Sequence, residues 1–395
     1  MKSFQAVTNE VDDIKTAINE LKAGIDTSRL LKNTCGLVFC GFETNLHELV
    51  EALNEAFDFP FIGCSAIGLL STSGYSECSI SMLVLTADDV EFSVGMSDAI
   101  ESIENLESFA RAYRDCKAKT ELPEKLIFSY VPFLYNVTFD DIVEKLDETS
   151  NHVPVYGGVA SDDWTFDASF VFTNEEVSDS KGVIMLVSGN VKPIFVLETS
   201  TTLTTNLHKV VTRVEGTTVY ELDGRPTLEF FKEMGMPTEK SFVIMDYLNT
   251  PFLATKKTRD GDEIDILRTL GAINHDDGSC QYIGKIEEGS ELNVVLISKE
   301  DIEKSVKKAF DKILYKLEKS EDYKYSAIIC SSCAARYSML VADKDTEGRA
   351  YEGRIPEGIN VQGVYIYGEF CPAHGKHNDG LYNALSNSTF TILAI

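Results

Sequence analysis

Apolar residues recur along the chain at two spacings, and these predict most of its elements. Val7, Val11, Ile14, Ile18 and Leu21 stand at helical intervals, as do Leu46, Leu49, Val50, Leu53 and Phe57, and later Ile302, Val306, Phe310, Ile313 and Leu317. Each set draws one apolar stripe, which predicts an amphipathic helix packed on a core. The first of these helices occupies residues 1–30. Asn45 stands three residues before Glu48, and Thr138 three before Asp141, so the second helix and another over 139–148 begin with side-chain caps. Short runs rich in Val, Ile, Phe and Leu predict strands at 36–42, 79–85, 126–130, 182–187, 193–197, 242–246, 292–297, 327–330 and 389–395. The class is mixed α/β, with mixed sheets.

The order strand, helix, glycine-containing strand, loop, strand repeats. It runs over about 36–97, where Pro60 leads through Phe61 and Ile62 to Gly63, Cys64 and Ser65. It returns over 126–197, where Pro154 leads through Val155 and Tyr156 to Gly157 and Gly158. A weaker third version closes the chain with strands at 327–330, 361–369 and 389–395. The polar, uncharged stretch 200–206 reads as an edge strand or as the crossing between two α/β halves. The halves are residues 31–210 and 211–395, with the boundary near 205–215. Just beyond it, Val219 to Leu222 reads as a strand ended by an Asp223-Gly224 turn, and Pro226 opens a short helix to about Met234.

Composition narrows the partners more than the fold. The chain has 395 residues, and 36 Lys and Arg against 63 Asp and Glu leave a net charge of −27. Such a field repels phosphate backbones and anionic headgroups, so neither nucleic acid nor a membrane is an expected partner. Nine cysteines, an odd number spread through the chain, read as reduced thiols and not as a disulfide framework. The N-terminus reaches Glu10 and Asp12 before any apolar run of signal-peptide length. The longest uncharged stretch, 59–76, is broken by Pro60, Gly63, Gly68 and Gly74. A soluble, cytoplasmic protein is expected.

Several motifs fail on inspection. Gly278 to Gly284-Lys285 is one residue too long for a phosphate-binding loop, and Ile286 stands where a Mg²⁺-binding hydroxyl belongs. No glycine pattern for a dinucleotide follows the first strand. Asp343, Asp345, Glu347 and Gly348 copy the start of a calcium loop, but its twelfth position is Arg354 and not a carboxylate. No cofactor is therefore expected. Cys330, Cys333, Cys371, His374 and His377 supply enough soft ligands for zinc, yet Cys330 ends an apolar strand and the 371–377 run has no second tight pair. A Cys333 nucleophile with His374 or His377 is a further reading of the same residues.

Two segments carry a resemblance. Pro60-Phe61-Ile62-Gly63-Cys64-Ser65-Ala66-Ile67-Gly68 with Tyr75, and Pro154-Val155-Tyr156-Gly157-Gly158-Val159-Ala160-Ser161-Asp162-Asp163, resemble the paired signatures of the FIST N-terminal domain. The second half resembles the FIST C-terminal domain in the order of Tyr220-Glu221-Leu222-Asp223-Gly224-Arg225-Pro226, Ser332-Cys333-Ala334-Ala335-Arg336, Gly363-Val364-Tyr365-Ile366-Tyr367-Gly368-Glu369 and Asn387-Ser388-Thr389. The resemblance implies a sensory module of prokaryotic signal transduction that binds a small ligand, an amino acid or a similar polar metabolite. In one departure, Gly68 is followed by Leu69 where the family tends to have Glu. No kinase, cyclase or chemotaxis segment flanks the two halves, which implies that the signal passes to a separate protein.

Read with that resemblance, the candidate ligand-binding residues are Gly63, Cys64, Ser65, Gly157, Gly158, Asp162, Asp163, Cys333, Arg336, Gly368, Glu369 and Asn387. The glycines at strand ends let backbone amides approach a ligand. Asp162 or Asp163 suits an ammonium group, and Arg336 suits a carboxylate held by two hydrogen bonds. Beside this stands a plainer reading, in which Arg336 and Glu369 form an internal salt bridge and the glycines make turns. Two other functions remain open on sequence: thiol or metal chemistry at Cys333, and an acidic adaptor that docks a basic partner.

Overall fold

In a computed structural model of the chain, which describes residues 1–167, 169–199, 203–241, 243–320 and 322–395, the repeat is present three times. The first copy is β1 (Lys2–Thr8), α1 (Ile14–Gly24), β2 (Asn33–Gly41), α2 (Leu46–Ala56), β3 (Phe61–Ala66), the hairpin β4 (Leu69–Ser71) and β5 (Gly74–Ser76), and β6 (Ile80–Ala87). The second is β7 (Val90–Met96), α3 (Leu106–Lys117), β8 (Glu124–Val131), α4 (Phe139–Thr149), β9 (Val155–Val159), β10 (Val171–Thr173), β11 (Val177–Ser178) and β12 (Val183–Gly189). The third begins with β13 (Ile194–Thr199) and is then interrupted. The insertion comprises β14 (Leu203–Glu215), β15 (Thr218–Leu222), β16 (Arg225–Pro226), α5 (Thr227–Glu233), β17 (Phe252–Lys257), β18 (Glu263–Arg268), β19 (Leu270–Ile273), β20 (Cys280–Tyr282) and β21 (Glu291–Leu296). The copy resumes with α6 (Lys299–Glu318), β22 (Ala327–Cys333), α7 (Ala334–Met339), α8 (Thr346–Tyr351), β23 (Asn360–Ile366), β24 (Glu369–His374), β25 (Leu381–Ser386) and β26 (Thr389–Ala394).

The three copies build three six-stranded sheets by one rule. Their orders are β1-β6-β2-β3-β10-β11, β7-β12-β8-β9-β24-β25 and β13-β26-β22-β23-β4-β5. In each, the central pair (β2/β3, β8/β9 or β22/β23) is parallel and all other neighbours are antiparallel. The last two strands of each sheet come from another copy: the first sheet takes a hairpin from the second repeat, the second from the third, and the third from the first. Strand exchange closes the ring, so the sheets do not divide between two halves. The expected boundary at 205–215 falls within β14 and at its end, where the eight-stranded sheet of the insertion begins.

Helices cover the outer faces of the sheets, and the inner faces meet in one core of Phe39, Phe128, Tyr130, Tyr156, Ile329 and Leu393, all with no exposed surface. Tyr156 spans two sheets, its hydroxyl donating to the Ile329 carbonyl at 2.8 Å. Local signals behave as expected where they were strong: Asn45 caps α2, and Thr138 and Asp141 form a reciprocal capping box on α4. No helix among the described residues is long and apolar enough to cross a membrane.

Two elements differ from the expectation. The N-terminal helix is confined to Ile14–Gly24, because residues 2–8 pair along their whole length with β6, burying Ala6 and Thr8 and leaving Val7 outside. The strand expected at 242–246 is not formed. Phe242 lies outside the described residues, and Ile244–Tyr247 is a turn of 3₁₀ helix in which the Asp246 carboxylate accepts from the Val243 amide at 2.8 Å. That local bond replaces a strand ladder.

Candidate functional site

In open α/β sheets, ligands bind beyond the carboxyl ends of parallel strands. Those ends are stitched together here by hydroxyls. Ser65 accepts from the Phe170 amide at 2.9 Å and donates to the Ser161 carbonyl at 3.1 Å, while Ser161 donates to the Tyr365 carbonyl at 2.7 Å and accepts from the Ile67 amide at 2.9 Å. On one side of this junction, between the second and third repeats, lies a slot of about 20 Å³. Phe133, Trp164, Phe166 and Tyr367 wall it, Cys333 and Asn387 form its floor, and Ile244, Leu248, Thr269 and Ile283 of the insertion roof it.

The aromatic wall is a product of Asp162. After β9 the chain turns sharply, and Trp164 (φ 62°) and Phe166 (φ 63°) both adopt left-handed backbone. Bulky residues rarely do so, because the Cβ crowds the carbonyl; the cost is of order 1–3 kcal/mol each. Asp162 holds the turn: its carboxylate accepts from the amides of Phe166 (3.1 Å) and Asp167 (3.0 Å) and from the hydroxyls of Thr165 and Tyr367. The Trp164 amide in turn donates to the Tyr367 hydroxyl at 2.8 Å. The rings then pack edge and face, with Phe133 and Phe166 centroids 4.7 Å apart and Phe166 and Tyr367 4.8 Å apart.

Beneath the rings, Cys333 ends β22 and opens α7, with the amides of Ala335 and Ser388 directed at its sulfur. Burial, reinforced by the neighbouring Glu369, pushes this thiol well above its ordinary range. Such a sulfur stays protonated, which argues against the nucleophile reading. Glu369 is itself fully buried. One oxygen accepts from the Thr389 amide (3.2 Å) and hydroxyl, and burial pushes the carboxyl up to about 8, with the Thr389 bonds, the Arg336 charge and Cys333 opposing. The Asn387 Oδ1 atom is buried and finds no hydrogen-bond partner among the described residues.

The expected residues are thus only partly brought together. Cys333 and Asn387 line the slot, Glu369 lies beside Cys333, and Asp162 shapes the wall with its oxygens engaged. Asp163 faces a different, acidic cavity of about 210 Å³ with Glu43, Glu77 and Tyr337. Arg336 is on neither: it is fully buried and pairs with Glu347 at 2.8 Å, donates to Ser305 (2.9 Å) and to the Ile302 carbonyl, and lies over the Phe390 ring. The ion pair expected with Glu369 is therefore made with Glu347, brought in by α8.

The glycines serve packing. A Cβ on Gly157 would stand 1.9 Å from the Ser129 carbonyl oxygen, and one on Gly158 2.1 Å from that of Gly368, at φ +145° and +153°. Their missing side chains admit neighbouring strands and not a ligand. Gly63 and Cys64 likewise sit in the core, where a Cβ on Gly63 would meet Phe172 at 2.3 Å. Gly368 packs beside Leu385 and Asn387. The soft-ligand residues do not assemble either: Cys330 and Cys371 are buried in their strands, His374 and His377 are exposed, and no metal-binding group of three is present among the described residues. All nine cysteines are free thiols.

Sequence reasoning did not single out Phe133, Trp164, Phe166 and Tyr367 as site residues. One signal was available: Trp164, the only tryptophan of the chain, directly follows the second glycine motif. Two larger depressions, of about 690 and 660 Å³, share Phe57 to Pro60, Phe92 and Lys119 and lie at the opposite, amino ends of the first sheet's parallel strands.

Comparison with known proteins agrees with this order of motifs. An uncharacterized protein of Methanocaldococcus jannaschii is 26% identical over 348 residues, covering 80% of this chain, which spans 64% of that relative's length. Among solved structures, a chorismatase aligns over 100% of this chain and 98% of its own, at 9% identity and a TM-score of 0.39. A cyanuric acid hydrolase from A. caulinodans aligns over 99% and 98%, at 10% identity and 0.30. Likeness at that level carries no argument about function. Family models match for the FIST N domain over residues 34–225 and for the FIST C domain over residues 228–372, and the chain belongs to the FIST family.

Proposed function

We propose that this chain is a sensor whose ligand is a small metabolite held in the slot between Trp164, Phe166, Cys333 and Asn387. FIST domains are sensory domains of signal transduction, so binding and not turnover is the task to explain. The observation that carries the reading is the Asp162 turn, which holds two large aromatic rings in costly left-handed backbone along the same slot as a buried Asn387 oxygen without a partner among the described residues. Strain of this kind persists where a site over-determines it.

The roof gives the slot a route to an output. Ile244, Leu248, Thr269 and Ile283 belong to the insertion, whereas the walls and floor belong to the repeats. A ligand that touches both adds contacts between them and shifts the population toward a docked insertion. A separate signalling protein then reads that surface.

A thermal-shift screen of the purified protein tests the reading, with amino acids and related polar metabolites at the head of the panel. A ligand at ~100 Kd stabilises the fold by about 2.7 kcal/mol, and Phe166→Ala is expected to remove the shift. A broad panel without any stabilising compound contradicts the proposal.

A further inference from the structure

The slot does not end at Phe166. Phe133, Phe166, Ile244 and Ile283 also line a groove of about 450 Å³ that runs outward between the second repeat and the insertion. Leu134, Val137, Ala272 and the exposed Tyr135 and Ile103 continue it. The two compartments differ in size. The groove has the size of a small-molecule site and a mostly apolar lining, while the slot takes only a small head group once water leaves.

Charge narrows the occupant. Among the described lining residues of both compartments Asp141 is the only charged one, and its carboxylate is engaged by Lys285 and Thr138. Arg336, the cation that suited a ligand carboxylate, is sealed against Glu347. An anionic head buried in the slot would therefore lack a counter-charge, and for a cationic head the carboxyl beside Cys333, Glu369, is pushed by burial toward its neutral form; an unpaired buried ion is strongly disfavoured. A neutral head meets better terms: the Asn387 Oδ1 atom has no donor among the described residues, and Thr269, whose hydroxyl lies 3.4 Å from that of Ser388, also lines the slot.

We infer that the ligand is an uncharged amphiphile, with a hydrogen-bond-donating head of carboxamide type against Asn387 and an aryl or alkyl body along the groove. This rests on the proposed sensor reading and replaces its amino-acid zwitterion by a neutral class. The order of parts follows from size and exposure, since the groove is the larger compartment and is bordered by the exposed Tyr135 and Ile103, so the body lies there and the head reaches past Phe166 into the slot.

Trp164 makes the test direct, because the chain has no second tryptophan. Four probes share a phenyl body: 3-phenylpropanamide is neutral, 3-phenylpropionate anionic, 2-phenylethylamine cationic and L-phenylalanine zwitterionic. Titration by Trp164 emission is expected to give saturable binding of the amide at least tenfold tighter than any charged probe. Asn387→Leu should erase that preference. Asn387 sits in a buried turn, so a second variant guards against misfolding: Ala272→Phe, at an exposed position on β19, fills the groove and should weaken amide binding at least tenfold. A charged probe that binds as tightly as the amide overturns the neutral class but leaves the sensor reading standing. Absence of binding by all four overturns it as well, and if the metabolite panel is also silent the sensor reading falls with it. Unchanged affinity in Ala272→Phe overturns the groove assignment.

Discussion

Arg336→Met separates the two roles that sequence allowed for this residue. Both partners of the Arg336–Glu347 pair have no exposed surface, and the guanidinium also donates to Ser305 and to the Ile302 carbonyl. Removing one partner of a buried pair leaves the other charge uncompensated, at a cost of about 3–5 kcal/mol. Replacing both by apolar residues removes that residual charge, so Arg336→Met with Glu347→Leu should recover most of the loss. Urea unfolding followed by far-ultraviolet circular dichroism on the wild type, both single variants and the double variant measures each term. A ligand-binding arginine would behave differently: its loss would abolish binding and barely change stability. Destabilisation below about 1 kcal/mol in Arg336→Met, or a double variant no better than the single one, refutes the structural assignment.

Three more outcomes follow from the same geometry. Gly158→Ala places a Cβ 2.1 Å from a backbone oxygen in left-handed territory, so it should cost more than ~3 kcal/mol or abolish soluble expression, and a thermal midpoint unchanged within error would contradict the strand-packing role. Asp162→Ala frees the donors that fix the 163–167 turn; Trp164 emission should shift to the red and proteolysis at this turn should quicken while circular dichroism stays native, and an unaltered emission maximum would show that the carboxylate does not hold the wall. Glu369 is raised to about 8 by burial, so its protonated form is the one the fold favours: stability is fully present below its ordinary unfolded value and is lost as pH rises through the folded one. Glu369→Gln should therefore gain on the wild type between about pH 5 and 8, by up to roughly 5 kcal/mol, and a pH-independent difference between the two would count against it.

Legibility in the sequence tracked the range of the interactions. Helix caps at Asn45 and Thr138 are contacts across three residues, and they were readable, as were the parallel core strands with their dense Val, Ile and Phe. The repeat order was visible too, though not its third copy in full, because the insertion separates β13 from α6. Exchange of hairpins among the sheets left no local trace: β4 pairs with β23 some 290 residues away through backbone atoms that any sequence supplies. The site shows the same division. Cys333, Glu369 and Asn387 were found as motif residues, whereas the partner of Arg336 was hidden in the acidic run that imitates a calcium loop. Glu347 reaches it only because α8 folds back over α6, a tertiary contact that spacing does not encode. Asp162 was singled out for its position in the second glycine motif, and four acceptor bonds of its carboxylate among the described residues go to its own turn and to Tyr367.

The central claim is that the slot beneath Trp164 is where this sensor holds its ligand. A crystal structure of the protein with a compound that raises its thermal midpoint tests this most directly. The account predicts electron density between Trp164, Phe166, Cys333 and Asn387 that continues into the groove past Ile283. Density confined to the acidic cavity of Glu77 and Asp163, or to the depression beside Phe57 and Lys119, would contradict it.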